Sequence, residues 1–257
     1  MTNAQTLDGK VAVVTGAGMG MGAATAELFA EQGASVVVAD LDEKAGTGTV
    51  ERITSEGGEA TLVRTDVSSS ADVRALVATA VERYGRLDCA VNNAAIAPDT
   101  TPIAELDEDE FDRIVAVNLR SVALCLKYEI AQFLKQDGTG SIVNIGSVNS
   151  FRPQPGAAAY TAAKHGVIGL TKTASLDYAP RGIRINAVCP GAIDTPMIRA
   201  ALETIGQTEE EFAPVLSLFG RFGQPREVAQ ASLWLCSDLS SYVTGHALAA
   251  DGGYLTR

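Results

Sequence analysis

Histidine is scarce in this chain: His165 and His246 are the only two among 257 residues. That scarcity argues against a His-rich metal centre. The four cysteines, Cys89, Cys125, Cys189 and Cys236, lie far apart in apolar surroundings and form no CxxC pair. Neither a zinc site nor a redox dithiol is expected from them, and they read as buried, reduced thiols of a cytoplasmic protein. No apolar run approaches the length of a membrane span, and the stretch from Met1 to Lys10 is polar, without a signal-peptide core. Basic charge is also short, with 20 Lys and Arg against 31 Asp and Glu and a net charge of −11. Nucleic acid and anionic membranes both require a basic footprint, so neither is an expected partner.

What the chain does have is apolar residues, 46% of the total against 20% charged, enough for a sizeable core. Short β-branched runs alternate with helical patterns. The runs predict strands over 11–15, 35–40, 60–64, 87–92, 141–145, 184–189 and 247–250. Helices are predicted over 21–32, 44–55, 70–84, 108–133, 157–178 and 225–235. Continuous apolar strands separated by helices imply a parallel sheet covered on both faces. The expected architecture is therefore a single α/β domain over 1–257, a Rossmann-type doubly wound sheet of about seven strands. The exception is 191–224, where Thr195-Pro196 and Thr208 with Glu211 are set to start two short helices. Its place after the sixth strand suggests a substrate lid; a merely structural helical hairpin is the alternative.

Between the first strand and first helix runs Thr15-Gly16-Ala17-Gly18-Met19-Gly20-Met21-Gly22. Glycines there let the backbone turn tightly and approach a pyrophosphate seated on the helix N-terminus. The G-x-G-x-x-G spacing fails at Met21, and the spacing that fits is Gly16, Gly20 and Gly22. Asp40 ends the second strand, where a dinucleotide site needs an acid. Its carboxylate suits free ribose hydroxyls and repels a 2′-phosphate, and the loop holds no cation to offset that repulsion, so NAD is the expected cofactor. Alternatively, Asp40 merely caps the helix after Leu41.

Tyr160 and Lys164 are spaced to share one helical face. A free tyrosine titrates near ~10 and is a poor base at neutrality, and a nearby ammonium favours the phenolate. Such a pair suits proton exchange with an alcohol or ketone while a hydride moves. Ser147 follows the fifth strand, at the sheet edge where ligands bind, and its hydroxyl is placed to hold the substrate oxygen.

Taken in order, Thr15-Gly-x-x-x-Gly-x-Gly22, Asp66-Val67, Asn92-Asn93-Ala94-Ala95, Asn118, Ser147, Tyr160-x-x-x-Lys164 and Pro190-Gly191 with Thr195 resemble the short-chain dehydrogenase/reductase family over essentially the whole chain. The resemblance implies a catalytic tetrad of Asn118, Ser147, Tyr160 and Lys164. Tyr160 is then the acid/base and Ser147 orients the substrate oxygen. Lys164 binds the nicotinamide ribose and lowers the Tyr160 pKa, and Asn118 holds a relay water. The implied cofactor contacts are Gly16, Gly20, Met21, Gly22, Asp40, Leu41, Asp66, Val67, Asn93, Ala94, Tyr160, Lys164, Pro190, Gly191 and Thr195. Two departures are Ala95, where the family has Gly, and Gly146, where Ser is frequent. Both read as tolerated. The expected activity is NAD-dependent oxidation or reduction at a secondary alcohol or ketone. The alternative is a non-catalytic NAD(H)-binding sensor or scaffold, which requires a damaged tetrad. An apolar pocket is expected from Ile96, Ala97, Val148, Asn149 and Phe151 with Ile193, Met197, Leu216 and Phe219 of the lid, suiting an apolar or alicyclic substrate. The family habit also implies a homotetramer.

Overall fold

The computed structural model describes residues 6–136 and 138–256; the first five residues of the polar amino-terminal stretch lie outside the described residues. The elements follow in the order β1 (Val11–Thr15), α1 (Gly20–Glu31), β2 (Ser35–Asp40), α2 (Glu43–Ser55), β3 (Glu59–Arg64), α3 (Ser70–Tyr84), β4 (Cys89–Asn92), α4 (Glu108–Val115), α5 (Ser121–Lys135), β5 (Gly140–Ile145), α6 (Ala158–Tyr178), β6 (Ile183–Pro190), α7 (Pro196–Ile205), α8 (Glu209–Leu216), α9 (Pro225–Cys236) and β7 (Ala247–Ala250). Seven strands pair in the order β3-β2-β1-β4-β5-β6-β7, and every pairing is parallel.

Strand periodicity divides the core between the two faces of this sheet. Ala12, Val14, Val36 and Val38 face α1, α2 and α9, where Phe29, Ile53, Val228 and Leu235 complete one apolar layer. Val11, Val13, Val37 and Ala39 face the opposite way, onto Leu76, Leu126, Phe133 and Val167 of α3, α5 and α6. Neither face is left to water, which is why the strands read as unbroken apolar runs.

The topology places a crevice. β1 pairs with β2 on one side and with β4 on the other, so the chain winds outward in one direction, then returns and winds in the other. The loops leaving the carboxyl ends of β1 and β4 diverge at this switch, where open α/β sheets bind ligands.

Two findings differ from the sequence expectation. β4 begins at Cys89, because Leu87 and Asp88 are tied off beforehand: the Leu87 amide donates to Gln136 at 2.9 Å, and Asp88 accepts from the Val11 amide at 2.9 Å. The long helix predicted over 108–133 is not one α-helix. α4 and α5 join through a single π turn, Ala116–Arg120, that turns Asn118 inward. Such wide turns recur at functional sites.

The excursion over 191–224 contains α7 and α8, started by Thr195 and by the Thr208/Glu211 capping box as expected. It has its own small core of Leu202, Ala213 and Phe222. Its ends meet in a bridge between Ile193 and Gly223, with Gly223 donating to Ala192 at 2.9 Å and Asp194 donating to Gly223 at 2.8 Å.

Between β4, β5, α5 and α6 lies a polar chain inside the apolar layer. Asn92 donates to Glu129 at 3.1 Å and to Asn144 at 2.9 Å, and Asn144 donates to Thr171 at 3.0 Å. Glu129 is 1% exposed. Burial raises its pKa from 4.5 to about 7, the bond from Asn92 working the other way. A carboxyl raised on folding keeps its proton in the native state while the unfolded chain releases it. Its contribution is fully present below about pH 4.5 and lost as pH rises through about 7. Glu129→Gln keeps the shape and removes the titration. Urea melts at pH 5 and pH 8 should show the wild type losing on the order of 3 kcal/mol relative to the variant across that window. Equal pH dependence in both proteins would locate the titration elsewhere.

Candidate active site

The glycine loop is built by close backbone contact. A Cβ on residue 22 would stand 2.1 Å from the Gly16 carbonyl oxygen, and one on residue 16, where φ is +61°, would stand 2.8 Å from Ala94 Cα. Asn93 clasps the turn: its side-chain amide donates to the carbonyls of Thr15 at 2.9 Å and Gly16 at 3.1 Å, and its backbone amide donates to the Thr15 hydroxyl at 3.0 Å. The first turn of α1 has no side-chain cap. Its amides face the crevice that Gly16, Gly20 and Gly22 open, which fits a pyrophosphate.

Asp40 ends β2 beside this loop. Its carboxylate accepts from the Gly18 amide at 2.7 Å and from the Asp42 amide at 2.9 Å. The cap of α2 is Asp42, not Asp40, so the capping alternative for Asp40 falls away. A Cβ on residue 18 would lie 2.9 Å from the Asp40 carboxylate and 2.8 Å from Ala45. Gly18 was missed in the sequence because the motif spacing leaves it as a free position. Leu41 and Met19 are exposed at the rim, and Met21 packs against the core. Beyond β3, Asp66 accepts from the Ser68 amide at 2.9 Å and hydroxyl at 2.6 Å, holding a turn into α3, and Val67 is buried. Gly191 sits against Asp251, and Pro190 pairs with Ala250. Thr195 approaches the glycine loop, its methyl 3.4 Å from the Cβ position of Gly20.

The four tetrad residues converge at the same sheet edge. Ser147 is 8% exposed, and its hydroxyl accepts from the Asn149 amide at 3.1 Å and lies beside the half-buried Tyr160 phenol. Lys164, 2% exposed, donates from Nζ to the Ile145 carbonyl at 2.8 Å and lies 5.5 Å from the Tyr160 ring centroid. Asn118, on the π turn, pairs with the backbone of Ile96 in both directions, donating to its carbonyl at 3.0 Å and accepting from its amide at 2.8 Å. One N–H and the carbonyl oxygen of the Asn118 side chain thus hold the loop after β4.

The electrostatics correct one expectation. Burial lifts the Tyr160 phenol above its ordinary value, with the Ser147 bond opposing. Burial also lowers Lys164 to about 8. In this state the ammonium donates to the Ile145 carbonyl, and burial is the dominant influence on the phenol. The pocket expectation is corrected in part as well. Ile193 joins the main core and Leu216 packs into the lid's own core, whereas Phe151, Met197 and Phe219 are exposed. Among the described residues no acid, thiol and imidazole cluster suits a metal, and no helix is long and apolar enough to cross a membrane.

A fold and site of this kind define a nicotinamide-dinucleotide oxidoreductase architecture, and known proteins agree. The family model described as Enoyl-(Acyl carrier protein) reductase matches residues 16–255. A short chain dehydrogenase/reductase, astE, of Aspergillus oryzae is 50% identical over 248 residues, 96% of this chain and 95% of its own length. A 2,5-dichloro-2,5-cyclohexadiene-1,4-diol dehydrogenase of Sphingobium indicum is 43% identical, covering 96% of this chain and 98% of that protein. A cyclohexanol dehydrogenase of an Acinetobacter species is 42% identical, with 96% of each chain covered. Among solved structures, levodione reductase superposes with a TM-score of 0.92 at 36% identity, covering 96% of this chain and 98% of that one. The chain belongs to the short-chain dehydrogenase/reductase family and is an oxidoreductase.

The departure at Gly146 has a local cause. A Cβ there would lie 2.8 Å from Cys189 Sγ and 3.2 Å from Ser150 Oγ. The thiol occupies the space that a serine side chain would take. Gly146→Ser should therefore destabilise the protein by about 1–3 kcal/mol through overpacking. Adding Cys189→Ala should recover much of the loss. Thermal melts of the four proteins in this cycle check the coupling, and additive losses would refute the steric match.

Proposed function

We propose that the chain is an NAD-dependent dehydrogenase/reductase of apolar or alicyclic secondary alcohols and ketones, with Tyr160 as the acid/base. The observation that carries this reading is the Tyr160 phenol beside Ser147, one helical turn from a buried Lys164 whose Nζ lies 5.5 Å from the Tyr160 ring centroid. When bound, the nicotinamide supplies the hydride acceptor or donor. Tyr160 takes the alcohol proton as the carbonyl forms and returns it in reduction. Ser147 Oγ holds the substrate oxygen against the phenol. Burial penalises the phenolate and the ammonium separately, so forming both charges together offsets the two costs. Lys164 is proposed to leave the Ile145 carbonyl for the nicotinamide ribose and the phenolate. Asn118 keeps Ile96 in place beside them and is proposed to hold a relay water. Asp66, Val67, Ala94, Pro190, Gly191 and Thr195 are proposed to flank the bound dinucleotide. The related dehydrogenases named for cyclic alcohols, together with the exposed Phe151, Met197 and Phe219, support an alicyclic substrate closed in by the segment 191–224. The net charge of −11 suits a protein that binds neither nucleic acid nor an anionic membrane, and we place it in the cytoplasm.

Tyr160→Phe should abolish turnover while NADH still binds, because only the proton-transfer group is removed. Oxidation needs the phenolate, so its rate should rise with pH and level off on the alkaline side, while reduction shows the reverse. Kinetics with cyclohexanol and a fluorescence titration with NADH read both. A variant keeping about a tenth of wild-type kcat would refute the role of Tyr160.

NAD is the proposed cofactor because the Asp40 carboxylate is fixed by two backbone amides and no cation stands in the glycine loop. A 2′-phosphate meeting it without compensation costs on the order of several kcal/mol. The kcat/KM for NAD should exceed that for NADP by about two orders of magnitude, and Asp40→Ala should narrow the gap. Equal efficiencies in the wild type would overturn the role of Asp40.

A homotetramer is proposed as the assembly. Light scattering at micromolar concentration should give about four times the 26.7 kDa chain mass, and a monomer would refute it.

A further inference from the structure

The amino end of α6 carries the proposed acid/base, yet its own sequence does not close it. Ala157 stands at the N-cap position and makes no side-chain cap. The first amides of a helix have no partner inside it, and a buried end needs one from elsewhere. It comes from 60 residues earlier in the chain. Asp99, in the segment after β4, is 5% exposed. One carboxylate oxygen accepts from the Ala159 amide and the other from the Tyr160 amide, each at 3.0 Å. The neighbouring residue, Thr100, is pressed against Gly156. A Cβ at Gly156, where φ is +79°, would lie 3.1 Å from the Thr100 carbonyl.

We propose, on the dehydrogenase reading above, that Asp99 is the positioning residue of the acid/base: its carboxylate fixes the first turn of α6 and so the place of the Tyr160 phenol. Both oxygens are used, and an anion at this end of the helix is favoured by the aligned peptide dipoles. An asparagine has one acceptor oxygen and would turn an NH2 group towards a backbone N–H. The same short segment is anchored twice more, by Asn93 to the glycine loop and by Ile96 to Asn118. One strap, 93–99, therefore sets the distance between the cofactor crevice and the proton-transfer group. A displacement of about 1 Å at such a site costs about 10²-fold in rate.

Asp99→Ala and the isosteric Asp99→Asn test this in the full-length protein. Three quantities are needed for each: steady-state kinetics with cyclohexanol and NAD, the NADH dissociation constant by fluorescence, and the melting temperature. In Asp99→Ala, kcat should fall about tenfold or more while NADH affinity stays within about threefold. Asp99→Asn should fall between that variant and the wild type, and it carries the test if the alanine variant does not fold. Combined with Tyr160→Phe, the loss of Asp99 should lower the residual kcat no further. A folded Asp99 variant with wild-type kcat would overturn the proposal. So would a parallel loss of kcat and NADH affinity, which marks a purely structural cap. Wild-type turnover and Tyr160→Phe test the dehydrogenase reading, and the variant-to-wild-type ratio tests Asp99, so the two fail separately.

Discussion

A parallel sheet with helices on both faces has no side to give to water, and the rest of this molecule depends on that constraint. The residues of the central strands β1, β4, β5 and β6 are nearly all buried and mostly apolar, so chemistry is confined to the strand ends. The carboxyl ends of β1, β4, β5 and β6 deliver the glycine loop, Asn93, Ser147 and Gly191 to one edge. The helices that cover the faces then bring Asn118, Tyr160 and Lys164 to the same edge. The polar chain from Glu129 to Thr171 obeys the same rule from inside, since each link is bonded to the next.

At that edge, backbone holds backbone through side chains of the loop after β4 or reaching it from the π turn. Asn93 bonds Thr15 and Gly16, the backbone of Ile96 bonds Asn118, and Asp99 bonds the first turn of α6. A side chain that ties a loop to a neighbouring element costs little ordering entropy when both are already fixed by the sheet. The π turn has the same logic. It widens the helix by one residue where Asn118 must reach inward, and the helix resumes on either side.

Much of this was legible in the sequence, for physical reasons. The strands were read from β-branched runs because burial on both faces leaves no alternation to confuse them. The helix starts at Thr195 and Thr208 were read because capping is local chemistry within three residues. What was not legible depends on contacts distant in sequence. No local pattern singles out Asp99, because its partners lie 60 and 61 residues on. Gly146 looked like a tolerated variant because its reason, Cys189, sits on another strand. The π turn has no periodic signature of its own. The shift of Tyr160 was read with the wrong sign, since spacing reveals that Lys164 is near but not that its ammonium is buried and bonded elsewhere.

The neck at Ile193 and Gly223 has a consequence for how such a chain diversifies. The excursion leaves and re-enters the body at this neck, and between its ends it meets the body again through the Leu218 amide, which donates to the Gly252 carbonyl at 2.8 Å, and through Thr195, which approaches Gly20. Lengthening a loop of this kind adds only about 0.6 kcal/mol for each doubling. Insertions in its exposed turns, away from Thr195 and Leu218, therefore cost the sheet little. The part of the chain best placed to meet new molecules is also the part least bound to the inheritance of the fold.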